Sequence, residues 1–310
     1  MNKKVYDIAG KKKIWFIASL AIIVAVILLS IFKGVEIAIE FKGGTIISYS
    51  YEGEADITSK QSDIEDYLKT PVTIQEGENL ANDSKSFSIS FSSDDGLSAE
   101  EQSGLTALLK EKFPDNKLEV LDSNDVNPTS GREFFTKCLI AAVIAAILII
   151  VYIGIRFKQI SGWSAGACAI IALIHDLIFA FGTFVVLGYE INSNFIAVIL
   201  TILGYSVNDT IVIYDRIREN RKLMPNADVT ELVNVSTSQS LRRSIRTSVT
   251  TVSTMLIVSI VAYVYGVTSI LSFSIPIMVG MIAGTYSSMC IASSIWVWWN
   301  ERKSSKKKKK

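Results

Sequence analysis

Six long apolar stretches constrain the fold of this chain more than any other feature of its sequence. A helix needs about 20 apolar residues to cross a hydrocarbon core of about 30 Å, and 49% of the 310 residues are hydrophobic. The stretches that approach this length lie at residues 14–32, 134–155, 163–187, 194–214, 249–265 and 273–299. The sequence therefore predicts a polytopic α-helical membrane protein with six transmembrane helices.

Three of these stretches need a further argument. The fifth is short unless its helix also includes residues 245–248, and the sixth is long enough to tilt or to bend at Pro276. The first stretch follows basic residues, as a signal peptide does, but it exceeds the usual apolar core of about 7–15 residues. No small-residue cleavage site follows it. The first stretch is therefore predicted to be a retained transmembrane helix.

Charge is distributed unevenly, although the formal net charge is only +1. Residues 34–133 hold 21 of the 30 acidic side chains and only 8 of the 31 lysines and arginines. Most of the other basic residues cluster at 3–13, 156–158, 216–222, 242–246 and 302–310. With six crossings, all five clusters fall on one side, which the positive-inside rule assigns to the cytoplasm. The sequence thus predicts a multi-pass protein of the cytoplasmic membrane with both termini cytoplasmic.

The predicted domains follow from this topology. They are a cytoplasmic N-terminus with the first helix (1–33), an extracytoplasmic domain (34–133), a five-helix membrane bundle with a cytoplasmic loop at about 215–245 (134–299), and a basic cytoplasmic tail (300–310). The basic termini are expected to meet anionic lipid. Nucleic-acid binding is not expected, because no aromatic residues are interleaved with the basic tail and no folded basic domain adjoins it.

The extracytoplasmic region reads as alternating strands and helices. Strands are predicted at 44–51, 72–75, 86–91 and 118–121, and helices at 57–68 and from a capping box at 98–101 to about Pro114. The order β-α-β-β-α-β is the ferredoxin-like arrangement. No constellation suited to catalysis is present in this region. Cys138, Cys168 and Cys290 lack ligand-type spacing, so neither a metal nor a cofactor is predicted.

Ionisable residues interrupt the apolar stretches. Asp209 follows Asn208 in the fourth stretch, and a carboxylate in a membrane helix costs roughly 2.5–3.5 kcal/mol. Arg243 and Arg246 open the next segment and offer cationic partners, with Ser248 just beyond them. A buried acid beside a base can change its protonation near neutral pH, which a transmembrane proton carrier needs. Asp209 is therefore a candidate for a proton relay.

His175 and Asp176 form a second candidate pair, near the middle of the third stretch. By depth, Asp176 is better placed at the bilayer midplane than Asp209, and periodicity does not decide between them. Simpler interpretations remain open. The pair could hold helices together, Asn208 and Ser248 could serve interhelical packing, and Arg242 and Arg246 could anchor the protein at the interface.

Several motifs resemble those of the SecD/SecF family of protein-export membrane proteins, within the resistance-nodulation-division superfamily. They cover the whole chain in the family's order and lie at residues 40–45 (EFKGGT), 175–176 (HD), 204–220 (GYSVNDTIVIYDRIREN), 243–244 with 247–251 (RS, TSVTT) and 284–288 (GTYSS). Two positions depart from the family pattern. Arg246 stands where the family is usually uncharged, and residues 36–40 differ from the common version of the external box.

The resemblance implies six helices with an external ferredoxin-like domain. It also implies a proton-driven cycle that draws a polypeptide out of the secretion channel. The family's membrane acid falls on Asp209 and its essential arginine on Arg243, and a further aspartate belongs to SecD, the partner subunit with which a heterodimer is expected. The implied partners are SecD, a SecYEG-type channel, the translocating unfolded polypeptide and protons.

These observations predict an accessory subunit of the Sec translocase that couples the proton motive force to late steps of export, not an enzyme. Two alternatives remain open. One is a purely structural subunit of the translocase. The other is a stand-alone exporter of small molecules or lipids, although such exporters usually carry two six-helix halves and this chain has one.

Overall fold

The computed structural model describes residues 5–53, 55–79, 84–91 and 97–308. The helices are α1 (Lys12–Lys33), α2 (Ile39–Lys42), α3 (Gln61–Leu68), α4 (Ala99–Lys112), α5 (Pro128–Arg156), α6 (Gly162–Leu187), α7 (Ser193–Leu223), α8 (Val229–Val264), α9 (Thr268–Tyr286) and α10 (Ser293–Lys308). The strands are β1 (Gly44–Tyr51), β2 (Val72–Asn79), β3 (Ser84–Phe91) and β4 (Glu119–Val126). Short 3-10 turns lie at Thr58–Lys60 and Lys158–Ile160. A π-helical segment, Ser287–Ala292, joins α9 to α10.

Six segments are long and apolar enough to cross a membrane. They are α1, α5, α6, α7, α8 and the continuous unit formed by α9, the π-helical segment and α10. The prediction of six transmembrane helices is confirmed. In the last unit Pro276 lies buried within α9, and the change in helix type comes later, at Ser287.

The connection predicted as a cytoplasmic loop at about 215–245 is helical over most of its length. Helix α7 continues to Leu223 and α8 begins at Val229, so both helices extend beyond their apolar stretches. Leu232 and Val233 are fully buried against the bundle, as are Ser236 and Thr237 one turn further along, and this burial at helical spacing stabilises the extension. The Asp228 carboxylate accepts a hydrogen bond from a backbone N–H in the first turn of α8, as an N-cap does. The fifth span therefore includes residues 245–248.

The four strands form one antiparallel sheet in the order β2-β3-β1-β4. With the helices α3 and α4 in the crossovers, this order is the ferredoxin-like arrangement, and the predicted fold class is confirmed. Strands β2, β3 and β4 are longer than predicted. The polar stretch of β4 has little strand propensity, but its pairing with β1 from Gly44 to Ser50 holds it extended.

The core of the sheet domain is apolar. Tyr49 and Phe87 face each other across β1 and β3 with ring centroids 5.1 Å apart, and Leu105 and Leu109 of α4 are fully buried beneath them. Each such side chain contributes about 1.5–3 kcal/mol on burial. The capping box predicted at the start of α4 is present, with Ser98 and Glu101 exchanging side-chain and backbone hydrogen bonds.

Helix α6 lies at the centre of the bundle, in contact with α1, α5, α7 and α9. Small residues make these close approaches possible. A Cβ at Gly182 would lie 2.6 Å from Val26 of α1, and one at Gly280 of α9 would lie 2.2 Å from Ile202 of α7. The packing of these helices therefore depends on glycine at their crossings.

The sheet domain rests on the α6–α7 connection. A short parallel bridge joins Ile37 to Ile191, and the Gln75 side chain of β2 donates to Glu190 Oε2 at 3.2 Å. Glu40 Oε2 accepts a hydrogen bond from the backbone N–H of Ser193, at 2.9 Å, where α7 begins. The external sheet is thus tied to the start of the helix that carries Asp209.

The opposite end of the bundle gathers both termini and the α7–α8 turn. Lys12 forms an ion pair with Glu301 at 2.9 Å, and the Thr230 hydroxyl donates to the other oxygen of Glu301 at 3.0 Å. The backbone N–H of Ile8 donates to Asn234 at 3.0 Å. The basic clusters near the two termini and the α7–α8 turn therefore lie at the same end.

Candidate functional site

Two carboxylates, on neighbouring helices, are buried in the helix bundle. Asp176 of α6 has no exposed surface, and Asp209 of α7 is 5% exposed. Both helices lie in the interior of the bundle, where their apolar neighbours exclude water. Burying a carboxylate is costly unless it is hydrogen-bonded, paired or protonated, so the groups that contact each one indicate what it does.

Asp176 is held by hydroxyl groups from two other helical elements. The hydroxyls of Ser206, on α7, and Ser287, at the start of the π-helical segment, donate to its Oδ2 at 2.6 and 2.8 Å. Its Oδ1 lies 3.0 Å from His175 Nδ1. Gly284 permits this contact, since a Cβ there would lie 3.1 Å from Ser206 and 3.4 Å from the Asp176 carboxylate.

Asp209 has a looser environment. The Thr285 hydroxyl donates to its Oδ2 at 3.3 Å, and Thr285 also hydrogen-bonds to the buried Ser248 of α8. The Ser244 hydroxyl lies close enough to interact with the carboxylate, but the geometry of a full hydrogen bond is not reached. Asp209 thus lies where α7, α8 and α9 meet.

The arginines of α8 do not form an ion pair with Asp209. Arg242, Arg243 and Arg246 are all exposed on the outer side of the helix, and Arg243 is the one whose charge acts on the Asp209 carboxylate. Among the described residues, no Lys or Arg nitrogen lies within 4.0 Å of that carboxylate. A pairing of Asp209 with one of these arginines would therefore require a different arrangement from the one seen.

The structure separates the other predicted site residues into two groups. His175, Asp176 and Ser248 face the interior. Asn208 is exposed on the outer side of α7, as Arg246 is on α8. Their roles in a relay, like that of Arg243, remain predictions.

Sequence reasoning missed the hydroxyl groups that surround both carboxylates. The Thr210 and Ser288 hydroxyls are 2.8 Å apart and fully buried, next to Ser206. Ser206 and Thr210 lie one helical turn apart, beside Asp209, and this spacing was the available signal. Ser287 and Ser288 have no such signal, because the π-helical turn that aims them inward is a tertiary feature.

No metal centre accompanies these groups. Across residues 5–53, 55–79, 84–91 and 97–308, no cluster of three or more His, Cys, Asp or Glu side chains is arranged to hold a metal ion. Cys138, Cys168 and Cys290 are free thiols. The chemistry available at the site is that of carboxylates, one imidazole and hydroxyl groups, which can bind and transfer protons.

An external ferredoxin-like sheet, six membrane-spanning segments and carboxylates inside the bundle define a multi-pass membrane protein of the transport class. Residues 105–302, more than half of the chain, match the model of the family described as "Protein export membrane protein SecD/SecF, C-terminal". The chain belongs to the SecD/SecF family.

Relatives of full length support this assignment. The protein translocase subunit SecF of Petrotoga mobilis is 34% identical over 292 residues, which cover 93% of this chain and 94% of that protein. The SecF subunit of Calditerrivibrio nitroreducens is 35% identical, with coverage of 95% and 94%. The similarity therefore extends over nearly the whole of both chains.

In longer relatives, the region similar to this chain is only part of the protein. The protein translocase subunit SecDF of Bacillus subtilis is 34% identical over 96% of this chain but only 38% of its own length. The crystal structure of SecDF from Thermus thermophilus, described as a translocon-associated membrane protein, superposes with a TM-score of 0.79 at 30% identity. That match covers 96% of this chain and 39% of the SecDF chain.

Proposed function

We propose that this chain, an accessory subunit of the Sec protein translocase, couples proton movement across the membrane to late steps of polypeptide export. The observation that carries the proposal is Asp209, a buried carboxylate with no cation within 4.0 Å among the described residues. Hydroxyl groups alone hold it. Such a group can be neutral or ionised according to proton supply, whereas a fixed ion pair would hold it ionised.

Arg243 is proposed to respond to the state of Asp209. Arg243 lies on α8, which packs against α7, and an ionised Asp209 would attract its charge. Protonation of Asp209 would release it. A change in the spacing of α7 and α8 would then follow the proton, and α7 is tied to the external domain through Ser193.

The energy available sets the size of each step. One proton crossing 100 mV releases about 2.3 kcal/mol, whereas unfolding a domain takes about 5–15 kcal/mol. A proton can therefore bias a domain movement without unfolding the protein, and repeated small movements suit this mechanism.

The proposed partners follow from the relatives and from the surface. A SecD-type subunit would supply the rest of the SecDF arrangement, beside a SecYEG-type channel that carries the unfolded polypeptide. At the end of α10 the Arg302 guanidinium lies 3.9 Å from the Trp298 ring centroid, and Trp298 and Trp299 are 40% and 43% exposed. Aromatic and basic side chains together are typical of the interface with anionic lipid, which supports a cytoplasmic-membrane location with cytoplasmic termini.

Asp209→Asn tests the proposal. The substitution preserves size and packing but removes the titrating group, so the protein should accumulate normally. Proton-gradient-dependent release of a preprotein from membrane vesicles should fall by about tenfold or more, as expected when an essential proton-transfer group is lost. The matched control is Asp215→Asn on the same helix, where the carboxylate is half-exposed and pairs with Arg156 and Arg218.

Normal coupling in Asp209→Asn would support the purely structural subunit. Normal preprotein release in a depletion strain, with loss of resistance to small molecules, would support the stand-alone exporter.

A further inference from the structure

His175 is the only histidine in the chain, and it lies inside the membrane bundle. Its side chain is 4% exposed, in the middle of α6. Nδ1 lies 3.0 Å from Asp176 Oδ1. The other ring nitrogen, Nε2, is buried and has no hydrogen-bond partner among the described residues. It is one of six buried side-chain polar atoms without a partner among the described residues. Buried polar atoms are nearly always hydrogen-bonded, so this nitrogen beside a carboxylate calls for an explanation.

The hydrogen bonds around Asp176 favour one tautomer of His175, the one with its hydrogen on Nδ1. Both serine hydroxyls donate to Oδ2, which suits an ionised carboxylate as acceptor. Oδ1 is then the acceptor for a hydrogen on Nδ1, and in a neutral imidazole this makes Nε2 an unprotonated acceptor. The pair can therefore gain one proton, on Nε2, without breaking any of these hydrogen bonds.

The surroundings of the ring place few charges near it. The Phe179 ring lies 4.4 Å away and the Tyr286 ring 5.9 Å away. In the described part of the chain, the ionisable groups that face the ring are Asp176 from α6 and Tyr286 from α9, whose own neighbour is Cys290. Helix α1 contributes the Ser19 hydroxyl, 3.1 Å from Tyr286 Oη, and α7 contributes the Ser206 hydroxyl and, three residues further on, the buried Asp209. Among the described residues, no Lys or Arg forms an ion pair with His175 or Asp176.

We propose that His175 and Asp176 form a second proton-binding site in the bundle, in which His175 Nε2 takes the proton and Asp176 is its fixed counter-charge. The imidazole becomes an imidazolium and the net charge of the pair changes from −1 to 0. Ser206 lies on the helix that carries Asp209, and Ser287 lies two residues after Thr285, which donates to Asp209. The contribution of this site to export rests on the proposed function, but its protonation does not.

The single histidine allows a direct test. The full-length protein would be labelled with ¹⁵N only at histidine, purified without a histidine tag and reconstituted into phospholipid bilayers. The two ring ¹⁵N shifts would be followed by NMR between about pH 4 and pH 9, a range that includes the ordinary histidine pKa of about 6.5. We expect a neutral ring protonated at Nδ1 at high pH and an imidazolium at low pH.

Variants separate this site from its neighbours. Asp176→Asn should lose the imidazolium signal over the same range, because the counter-charge is gone. Asp215→Asn, on an exposed part of α7, should titrate as the wild type does. A wild-type ring that stays in one protonation state throughout, or a high-pH tautomer protonated at Nε2, would overturn the proposal even if Asp176→Asn failed to fold.

A second readout distinguishes this proposal from the first one. His175→Asn retains a donor near the Nδ1 position but cannot take a proton at Nε2, and it should reduce gradient-dependent preprotein release several-fold. If His175 does not titrate while Asp209→Asn still abolishes coupling, only the present inference fails. If His175 titrates while Asp209→Asn couples normally, the proposed function fails and the proton site stands.

Discussion

In the sheet domain the buried side chains are apolar or aromatic, and Thr45 is the one buried polar side chain among its described residues. None of its described carboxylates is buried, and some pair with lysines, as Asp63 does with Lys112 at 2.9 Å. In the membrane bundle the opposite holds: Asp176 and Asp209 are buried and contact hydroxyl groups.

This contrast between exposed and buried carboxylates indicates which region carries the candidate functional residues. A surface ion pair contributes about 0–1 kcal/mol and can be lost with little effect. Solubility is therefore a sufficient reason for the carboxylates on the surface of the sheet domain. A buried carboxylate without a cation is expensive, so Asp176 and Asp209 are the residues on which the proposed proton coupling rests. Four predictions below test this comparison, beginning with the largest expected effect.

The first prediction concerns the sides of the membrane on which the two ends of the bundle lie. We would introduce single cysteines into a variant that lacks Cys138, Cys168 and Cys290. One would replace Glu100, which is exposed on α4, and the other Lys222, near the α7–α8 turn. An impermeant thiol reagent should label the first only from outside and the second only from inside. Labelling of both from one side would contradict the six-helix topology and the comparison built on it.

The second prediction concerns the apolar core of the sheet domain. Leu105→Ala should lower its free energy of unfolding by about 2–5 kcal/mol, because a fully buried leucine leaves a cavity. Pulse proteolysis of the full-length protein in urea would measure it. Leu121→Ala, the same change at a side chain that is 51% exposed on β4, is the control and should cost about 0.5 kcal/mol or less. Equal losses would show that the core is not where the structure places it.

The third prediction concerns the arginine beside the buried carboxylate. Arg243→Lys keeps the charge but loses the planar fork of donors. It should reduce gradient-dependent preprotein release by less than about tenfold, a smaller loss than Asp209→Asn causes. The control is Arg246→Lys on the same exposed side of α8, which should be close to wild type. If Arg246→Lys has the larger effect, the wrong arginine has been assigned to the relay.

The fourth prediction has the smallest expected effect and concerns the contact between the two regions. Burial raises the pKa of Glu190, and Glu36 and Glu40 add to the shift, while a Thr73 hydrogen bond and Lys42 oppose it. A raised carboxylate pKa makes the contact most stable below the ordinary value of about 4.3, with stability lost as pH rises through the raised pKa.

Glu190→Gln, which is neutral throughout, should therefore slow hydrogen exchange in residues 188–192 at neutral pH and change it little in acid. Exposed Glu119→Gln on β4 should show no such pH dependence. Faster exchange in Glu190→Gln at neutral pH would reverse the assigned sign.

Local patterns in the sequence account for much of this fold. The capping box at Ser98 begins α4 because its two partners are three residues apart in the chain. The strand at 86–91 alternates Phe87, Ile89 and Phe91 against serines, so one face is marked for burial before any partner is known. The ends of β2 and β4 could not be predicted, because pairing with neighbouring strands extends them.

The candidate site could be predicted from the sequence only in part. The sequence alone determined the six membrane spans and the ionisable residues within them, because apolar length and the cost of a buried charge are properties of a single segment. Which side chains contact these ionisable residues depends on the tertiary structure. Asn208 and Asp209 are adjacent in the chain, yet Asn208 points outward and Asp209 inward, because the rotation of α7 is determined by packing against α6 and α9. For the same reason Ser287, distant in the chain, is hydrogen-bonded to Asp176.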